Sequence, residues 1–149
     1  MRKEATEDTG AYIGCLAGHL RAAARVITRE YDTALRPHGL RITQIAILAQ
    51  LANVQPVTVT HLADALASDR SALARDIAIL KRAGLIASMA KRGDRRASQL
   101  SLTAAGERKL AECAQAWHAL QAKMRDSLGA ADVAALIALS DRLVGALAQ

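Results

Sequence analysis

A mainly α-helical single domain is predicted by three observations. Alanine and leucine dominate a chain of 149 residues that is 52% hydrophobic. Aromatic residues make up 2%, confined to Tyr12, Tyr31 and Trp117, which favours helices packed through small and branched side chains over a sheet-rich core. Apolar residues recur at helical spacing along most of the chain, interrupted by one short stretch of period two. The length suits one domain, 1–149, with a sizeable core. No apolar run approaches the roughly 18 residues of a membrane span, and "MRKEATEDTG" lacks a signal-peptide core, so a cytoplasmic location is expected. Cys15 and Cys113 stand far apart without CxxC or Cys/His spacing, so neither a disulfide framework nor a metal site is expected, and no cofactor.

From Ala11 to about Arg36, Ile13, Leu16, Leu20, Ile27, Tyr31 and Leu35 recur with near-heptad spacing, with Ala23 and Ala24 filling the gap. This predicts one long helix, stopped by Pro37 and Gly39. Its opposite face carries Arg21, Arg25 and Arg29, expected to be solvated and partly paired with Asp32. Thr43 is expected to cap a second helix, about Gln44 to Ala52, with Ile45, Leu48 and Leu51 on one side and "NVQP" at its end.

The run "TVTHLADALASDRSALARDIAILKRAGLI" predicts two short helices joined by a tight turn. Thr60 is expected to cap the first, His61 to about Ala67. Ser68 and Asp69 form the turn that caps the second, which runs to Arg82 and is closed by Gly84. On this second helix Leu73, Ile77 and Leu80 face the core, while Ser71, Arg75, Ala78 and Arg82 lie opposite at 100° per residue. A small and basic face of that kind suits a major groove, where arginine reaches guanine edges or phosphates.

After Gly84 the period changes to two. "LIASMA" and "ASQLSL" read as short strands around "KRGDRR", Lys91 to Arg96, which holds four cations, one glycine and one acid. A helix-turn-helix followed directly by a hairpin with a basic tip is a winged helix-turn-helix with a two-stranded β wing. Gly93 permits positive φ in the turn. Lys91, Arg92, Arg95 and Arg96 would meet phosphates or the narrow minor groove, and Asp94 would hold a neighbouring guanidinium. Thr103 is expected to cap a long helix carrying Leu110, Cys113, Trp117, Leu120 and Met124 as a second apolar stripe. A last helix follows Gly129, with Val133, Leu136, Ile137, Leu143, Val144 and Leu147 mostly on one side.

Charge placement agrees with this organisation. The net charge is +6, and the segment from Asp69 to Lys109 holds ten Lys/Arg against four Asp/Glu, while the rest of the chain balances at ten each. A localised excess of this sort is the electrostatic footprint of a polyanion site, with nucleic acid foremost. Catalysis is not expected: His19, His38, His61, His118 and the two thiols show no catalytic or metal-ligand spacing, and no glycine-rich phosphate loop is present. A winged helix that binds a protein partner is a further reading of the same elements.

The run "DRSALARDIAILKRAGLI", then "DRR" at Asp94 to Arg96, then "LTAAG" at Leu102 to Gly106 resembles the MarR family of bacterial transcription regulators, and "PHGLRITQ" is similar to the family's lead-in. The likeness extends over nearly the whole chain. It implies that Arg70 to Arg82 is the recognition helix, that Asp94 and Arg96 are a wing pair, and that helices in 11–36 and 104–149 build an obligate homodimer around a winged-helix lobe at 43–103. Ala72 and Ala74 stand where hydroxyl residues are frequent in the family. The implied function is sequence-specific binding of a pseudo-palindromic DNA operator, as a repressor released by a small anionic or phenolic ligand. The DNA-binding residues on this reading are Ser68, Arg70, Ser71, Arg75, Arg82, Lys91, Arg92, Asp94, Arg95 and Arg96. His19, Arg21 and His38 are candidate ligand-binding groups, expected between the first two helices and the helix after the wing. Cys15, one turn before His19, is a candidate redox thiol: some members of the family that sense organic hydroperoxides carry a reactive cysteine near the start of this helix, and a nearby imidazolium favours the thiolate.

Overall fold

A computed structural model describes residues 14–91 and 94–147, with side chains described except for 90–98. The elements in chain order are α1 (Leu16–Leu35), a 3-10 turn (Arg36–His38), α2 (Ile42–Asn53), β1 (Val57–Thr58), α3 (Val59–Ala65), α4 (Arg70–Arg82), β2 (Ile86–Lys91), β3 (Asp94–Leu102), α5 (Ala104–Leu128) and α6 (Ala130–Leu147). The mainly α-helical winged helix-turn-helix is therefore present, with α1 and α6 at its two ends. α1 starts at Leu16 with Cys15 as its N-cap, later than the expected helix from Ala11; Ala11 to Ile13 lie outside the described residues.

The wing is a hairpin of β2 and β3, antiparallel from Ile86↔Leu102 to Lys91↔Asp94. The sheet has a third strand that period-two reading missed. β1 is two residues long and pairs with β3 through Val57↔Leu100 and Thr58↔Gln99, giving the order β1-β3-β2. Two residues cannot show an alternation, so only the pairing reveals the strand. Next to it, the Gln55 side-chain carbonyl accepts the Leu102 N–H at 2.6 Å.

The core sits in the lobe around the helix-turn-helix. Leu35 from α1, Ile47, Leu48 and Leu51 from α2, Leu62 from α3, Leu80 from α4, Leu100 from β3 and Cys113 from α5 are its fully buried side chains. Each large apolar side chain so buried contributes about 1.5–3 kcal/mol. Outside this lobe the stripes find less cover. On α1 only Tyr31 and Leu35 are buried, and α6 buries none of its residues. Leu16, Val26, Ile27, Leu136, Ile137, Leu139, Val144 and Leu147 are exposed. Trp117, expected in the α5 stripe, is 37% exposed and meets the His118 ring edge-on. Periodicity marks an apolar face without saying whether the same chain covers it.

α1 and α5 are clamped by Gln121 Nε2 donating to the Tyr31 hydroxyl at 2.5 Å and by a Lys123–Glu30 ion pair at 2.7 Å. Burial pushes the Tyr31 phenol above its usual range.

Two caps differ from expectation. Thr58, not Thr60, caps α3, its hydroxyl accepting the His61 N–H at 3.2 Å. α2 begins at Ile42, before Thr43, and its first N–H groups are met from elsewhere: Asp32 Oδ1 on α1 accepts the Ile42 N–H at 2.8 Å. Asp32 thus serves the next helix rather than the arginines of its own. Three other caps fall where the sequence puts them. Asp69 accepts the Ala72 N–H, Thr103 accepts the Gly106 N–H, and Gly84 ends α4 at φ 71° while the Leu85 N–H reaches back to the Leu80 carbonyl.

Candidate nucleic-acid interface

The geometry of α4 follows from its burial pattern. Leu73, Ile77 and Leu80 are buried against the lobe, which turns Arg70, Ser71, Arg75, Ala78 and Arg82 outward, all of them exposed. Ser71, Arg75, Ala78 and Arg82 share one face at the i, i+4, i+7, i+11 spacing. Lys81 and Arg82 occupy the last turn, where the helix dipole favours cations.

The turn between α3 and α4 is tight. Ala67 holds φ 45° in the left-handed region, and the Ser68 N–H reaches the Ala63 carbonyl at 3.0 Å. Ser68 is half-buried, with its hydroxyl donating to the Leu66 carbonyl at 3.3 Å. At the start of α4, Asp69 accepts from the Ser71 hydroxyl and from the Ala72 N–H. The Ser71 bond, then the Ala72 bond, hold the Asp69 carboxyl below the usual carboxylate range, with Arg75 adding attraction. Ser71 is therefore both a surface residue of the α4 face and a support for its cap.

The wing follows α4 directly. Leu85 and Ile86 are buried at its base. The Thr103 hydroxyl lies 2.7 Å from the Gly84 carbonyl and 3.0 Å from that of Leu85, so α4, β2 and the start of α5 share one junction. Gly106 belongs to that junction: a Cβ there would lie 2.1 Å from the Leu85 carbonyl oxygen. The Thr–x–x–Gly spacing of "LTAAG" has this close approach as its cause. Lys91, Asp94, Arg95 and Arg96 fall on the wing strands. Their side chains, and Arg92 altogether, lie outside the described residues.

The candidate ligand groups are not brought together. His19 and Arg21 are exposed on the first turns of α1, whereas half-buried His38 stands in the 3-10 turn beyond its far end. From His19 to Leu35 the helix advances about 24 Å at about 1.5 Å per residue. His38 instead lies near Glu112, whose carboxyl is held below its usual range chiefly by the Lys109 ion pair at 2.7 Å. Cys15 is exposed at the N-cap of α1, its carbonyl accepting the His19 N–H at 3.2 Å. Cys113 is buried, and burial pushes its thiol pKa up. Among the described residues no group of three or more His, Cys, Asp or Glu could hold a metal ion, and no helix is long and apolar enough to cross a membrane.

Sequence reading missed Gln44 and Asp76. Gln44 is 4% exposed; its Oε1 accepts the Arg41 N–H and its Nε2 donates to Asp76 Oδ1 on α4, both at 3.1 Å. Nothing local marks a glutamine in an apolar helix as paired across 32 residues.

Comparison with known proteins bears on this arrangement. The MarR family model matches residues 40–98. No curated protein matches the chain in a sequence search. Among solved structures, the transcriptional regulator MosR of M. tuberculosis in complex with DNA is 33% identical, with a TM-score of 0.77 over 89% of this chain and 97% of that one. MosR in a second structure is 30% identical, with a TM-score of 0.78 over 91% and 98%. MarR of E. coli, at 22% identity and a TM-score of 0.71 over 87% and 96%, shares the fold. With the family model spanning the helix-turn-helix and most of the wing, and a regulator matched along nearly its whole length, the chain belongs to the MarR family of winged helix-turn-helix transcription regulators.

Proposed function

We propose that the chain acts as a homodimer on a pseudo-palindromic DNA operator, as a repressor released by a small anionic or phenolic ligand. The observation that carries the DNA contact is the exposed face of α4. Leu73, Ile77 and Leu80 are buried, so that Ser71, Arg75, Ala78 and Arg82 lie on the outer face, and the basic segment Lys91 to Arg96 follows further along the sequence. Arg75 reads a base edge or an adjacent phosphate, Arg70 and Arg82 flank it, and Arg92, Arg95 and Arg96 contact the backbone beside the groove. Asp94 orients one of the wing arginines. Ser68 serves as a turn support and backbone contact. MosR, solved in complex with DNA, supports the same use of this fold.

The dimer rests on what one chain leaves uncovered. Leu16 and Leu20 of α1 and Leu136, Leu139 and Leu143 of α6 line an open apolar groove of about 480 Å³, next to the exposed Ile137, Val144 and Leu147. A second copy covers this surface and sets two α4 helices about one turn of duplex apart, reading half-sites about 10 bp apart. Effector release follows if the ligand prefers a dimer whose α4 spacing fits DNA less well. One ligand cannot touch His19, Arg21 and His38 of a single chain, so the two ends of α1 offer separate anion contacts.

The exposure of Cys15 favours a second reading, a thiol switch on the same fold. Both are tested by one experiment. Fragments retained from a random-sequence DNA pool are identified, and their release is measured with salicylate-like acids and with an organic hydroperoxide, on the wild type and Cys15→Ser. Release by acids supports the ligand reading; release by peroxide that vanishes in Cys15→Ser replaces it with the thiol switch. Sedimentation at the 15.8 kDa of one chain at micromolar concentration contradicts the dimer.

A further inference from the structure

We infer that Gln44 and Asp76 are a positioning pair that fixes the fine rotation of α4 about its own axis, and with it the angle at which its outward side chains meet DNA. This rests on the DNA-reading function proposed above. α4 packs on the lobe through Leu73, Ile77 and Leu80, and apolar contacts are non-directional. They set which face of α4 is buried but tolerate small rotations about its axis. A hydrogen bond does specify the rotation, because donor distance and angle are both restricted.

Gln44 is the one buried amide or charged side chain among the described residues, and each end of its amide is engaged. Oε1 holds the Arg41 N–H at the start of α2, and Nε2 donates to Asp76 Oδ1 on α4, 3.1 Å in each case. The adjacent Ile42 N–H is held by Asp32 of α1 at 2.8 Å. The end of α1, the first turn of α2 and the middle of α4 are therefore joined by directional bonds. Asp76 immediately follows Arg75 and is the only acid within α4, alongside Arg70, Arg75, Lys81 and Arg82. A carboxylate turned to the outer face would repel phosphates. Helical spacing sets Asp76 about 100° round from Arg75, and the bond to Gln44 holds its carboxylate toward α2.

The test uses two duplexes: one enriched by the wild-type protein from a random pool, and a scrambled duplex of the same composition. The readout is the ratio of their affinities. A variant that merely lowers the folded fraction weakens both equally and leaves the ratio alone, whereas a rotated α4 lowers the ratio. Asp76→Ala is expected to reduce it about tenfold, with scrambled-duplex binding changed less than about threefold. Asp76→Asn keeps an acceptor for Gln44 and is expected to retain the ratio. Gln44→Glu sets two carboxylates against each other and is expected to lose the ratio. Adding Asp76→Asn to it restores a hydrogen bond of reversed direction, and with it the ratio. A ratio that survives both Asp76→Ala and Gln44→Glu overturns the inference alone. A wild-type ratio near one overturns the DNA-reading function, and the inference with it.

Discussion

Replacing Gly106 with alanine sets two physical effects against each other with opposite signs. Helix propensity alone favours alanine over glycine by about 1 kcal/mol in a helix interior. The structure opposes it. A Cβ at Gly106 would lie 2.1 Å from the Leu85 carbonyl oxygen and 2.7 Å from Leu102 Cδ1, where real contacts essentially never fall below 3.0 Å. α5 must therefore withdraw by at least 0.9 Å, the difference between 3.0 and 2.1 Å. The Leu85 carbonyl cannot yield freely, because it accepts the Thr103 N–H at 3.1 Å and lies 3.0 Å from the Thr103 hydroxyl. Overpacking of this kind costs about 1–3 kcal/mol, and weakening the Thr103 cap costs about 1 kcal/mol more. Set against the propensity gain, the expected net loss is about 1–3 kcal/mol, or roughly 2–12 °C in Tm for a chain of this size. Urea and thermal unfolding followed by circular dichroism, at one fixed protein concentration, measure it. A Gly106→Ala protein as stable as the wild type, or more stable, would refute the close approach as the reason for this glycine.

Ala67→Gly is expected to stabilise the fold by up to about 1 kcal/mol, since it relieves an alanine at φ 45° at the expense of a more flexible unfolded chain; a lower urea midpoint contradicts this. Burial raises the Cys113 thiol pKa, so the folded chain holds that proton to higher pH than the unfolded chain does. Stability is then expected to fall as pH rises from about 8.5 through the folded thiol's value. A wild type that loses no more stability than Cys113→Ala between neutral and alkaline pH contradicts it. A thiol reagent at neutral pH is expected to label exposed Cys15 and spare buried Cys113, and equal labelling of both would overturn the assignment.

The residues that were legible in the sequence act through neighbours close along the chain. The phase of α4 follows from Leu73, Ile77 and Leu80, its ends from Asp69 and Gly84, and the start of α5 from Thr103. What was not legible depends on partners far away in sequence. Asp32 reads as a partner for its own helix until α2 is packed beside it, Gln44 reads as a stray polar residue until α4 supplies Asp76, and β1 exists only because β3 pairs with it. His19, Arg21 and His38 share a sign of charge, or its potential, but a rigid helix separates them. The apolar stripes of α1 and α6 were legible, and so was their excess over what one small winged helix buries by itself.

Binding of duplex DNA by α4 and the basic wing is an ionic contact with phosphates, so the salt dependence of affinity reports on it. Affinity for a fluorescent duplex, measured by anisotropy across a range of salt concentrations, is expected to fall linearly on logarithmic axes with a slope of about −0.9 per phosphate contacted. Arg96→Ala is expected to lower that slope by about one and to weaken binding to most sequences, whereas Arg75→Ala is expected to cost about 1–3 kcal/mol and to shift preference among duplexes. A wild-type affinity indifferent to salt, or slopes and affinities unchanged in both variants, would contradict DNA binding by α4 and the wing.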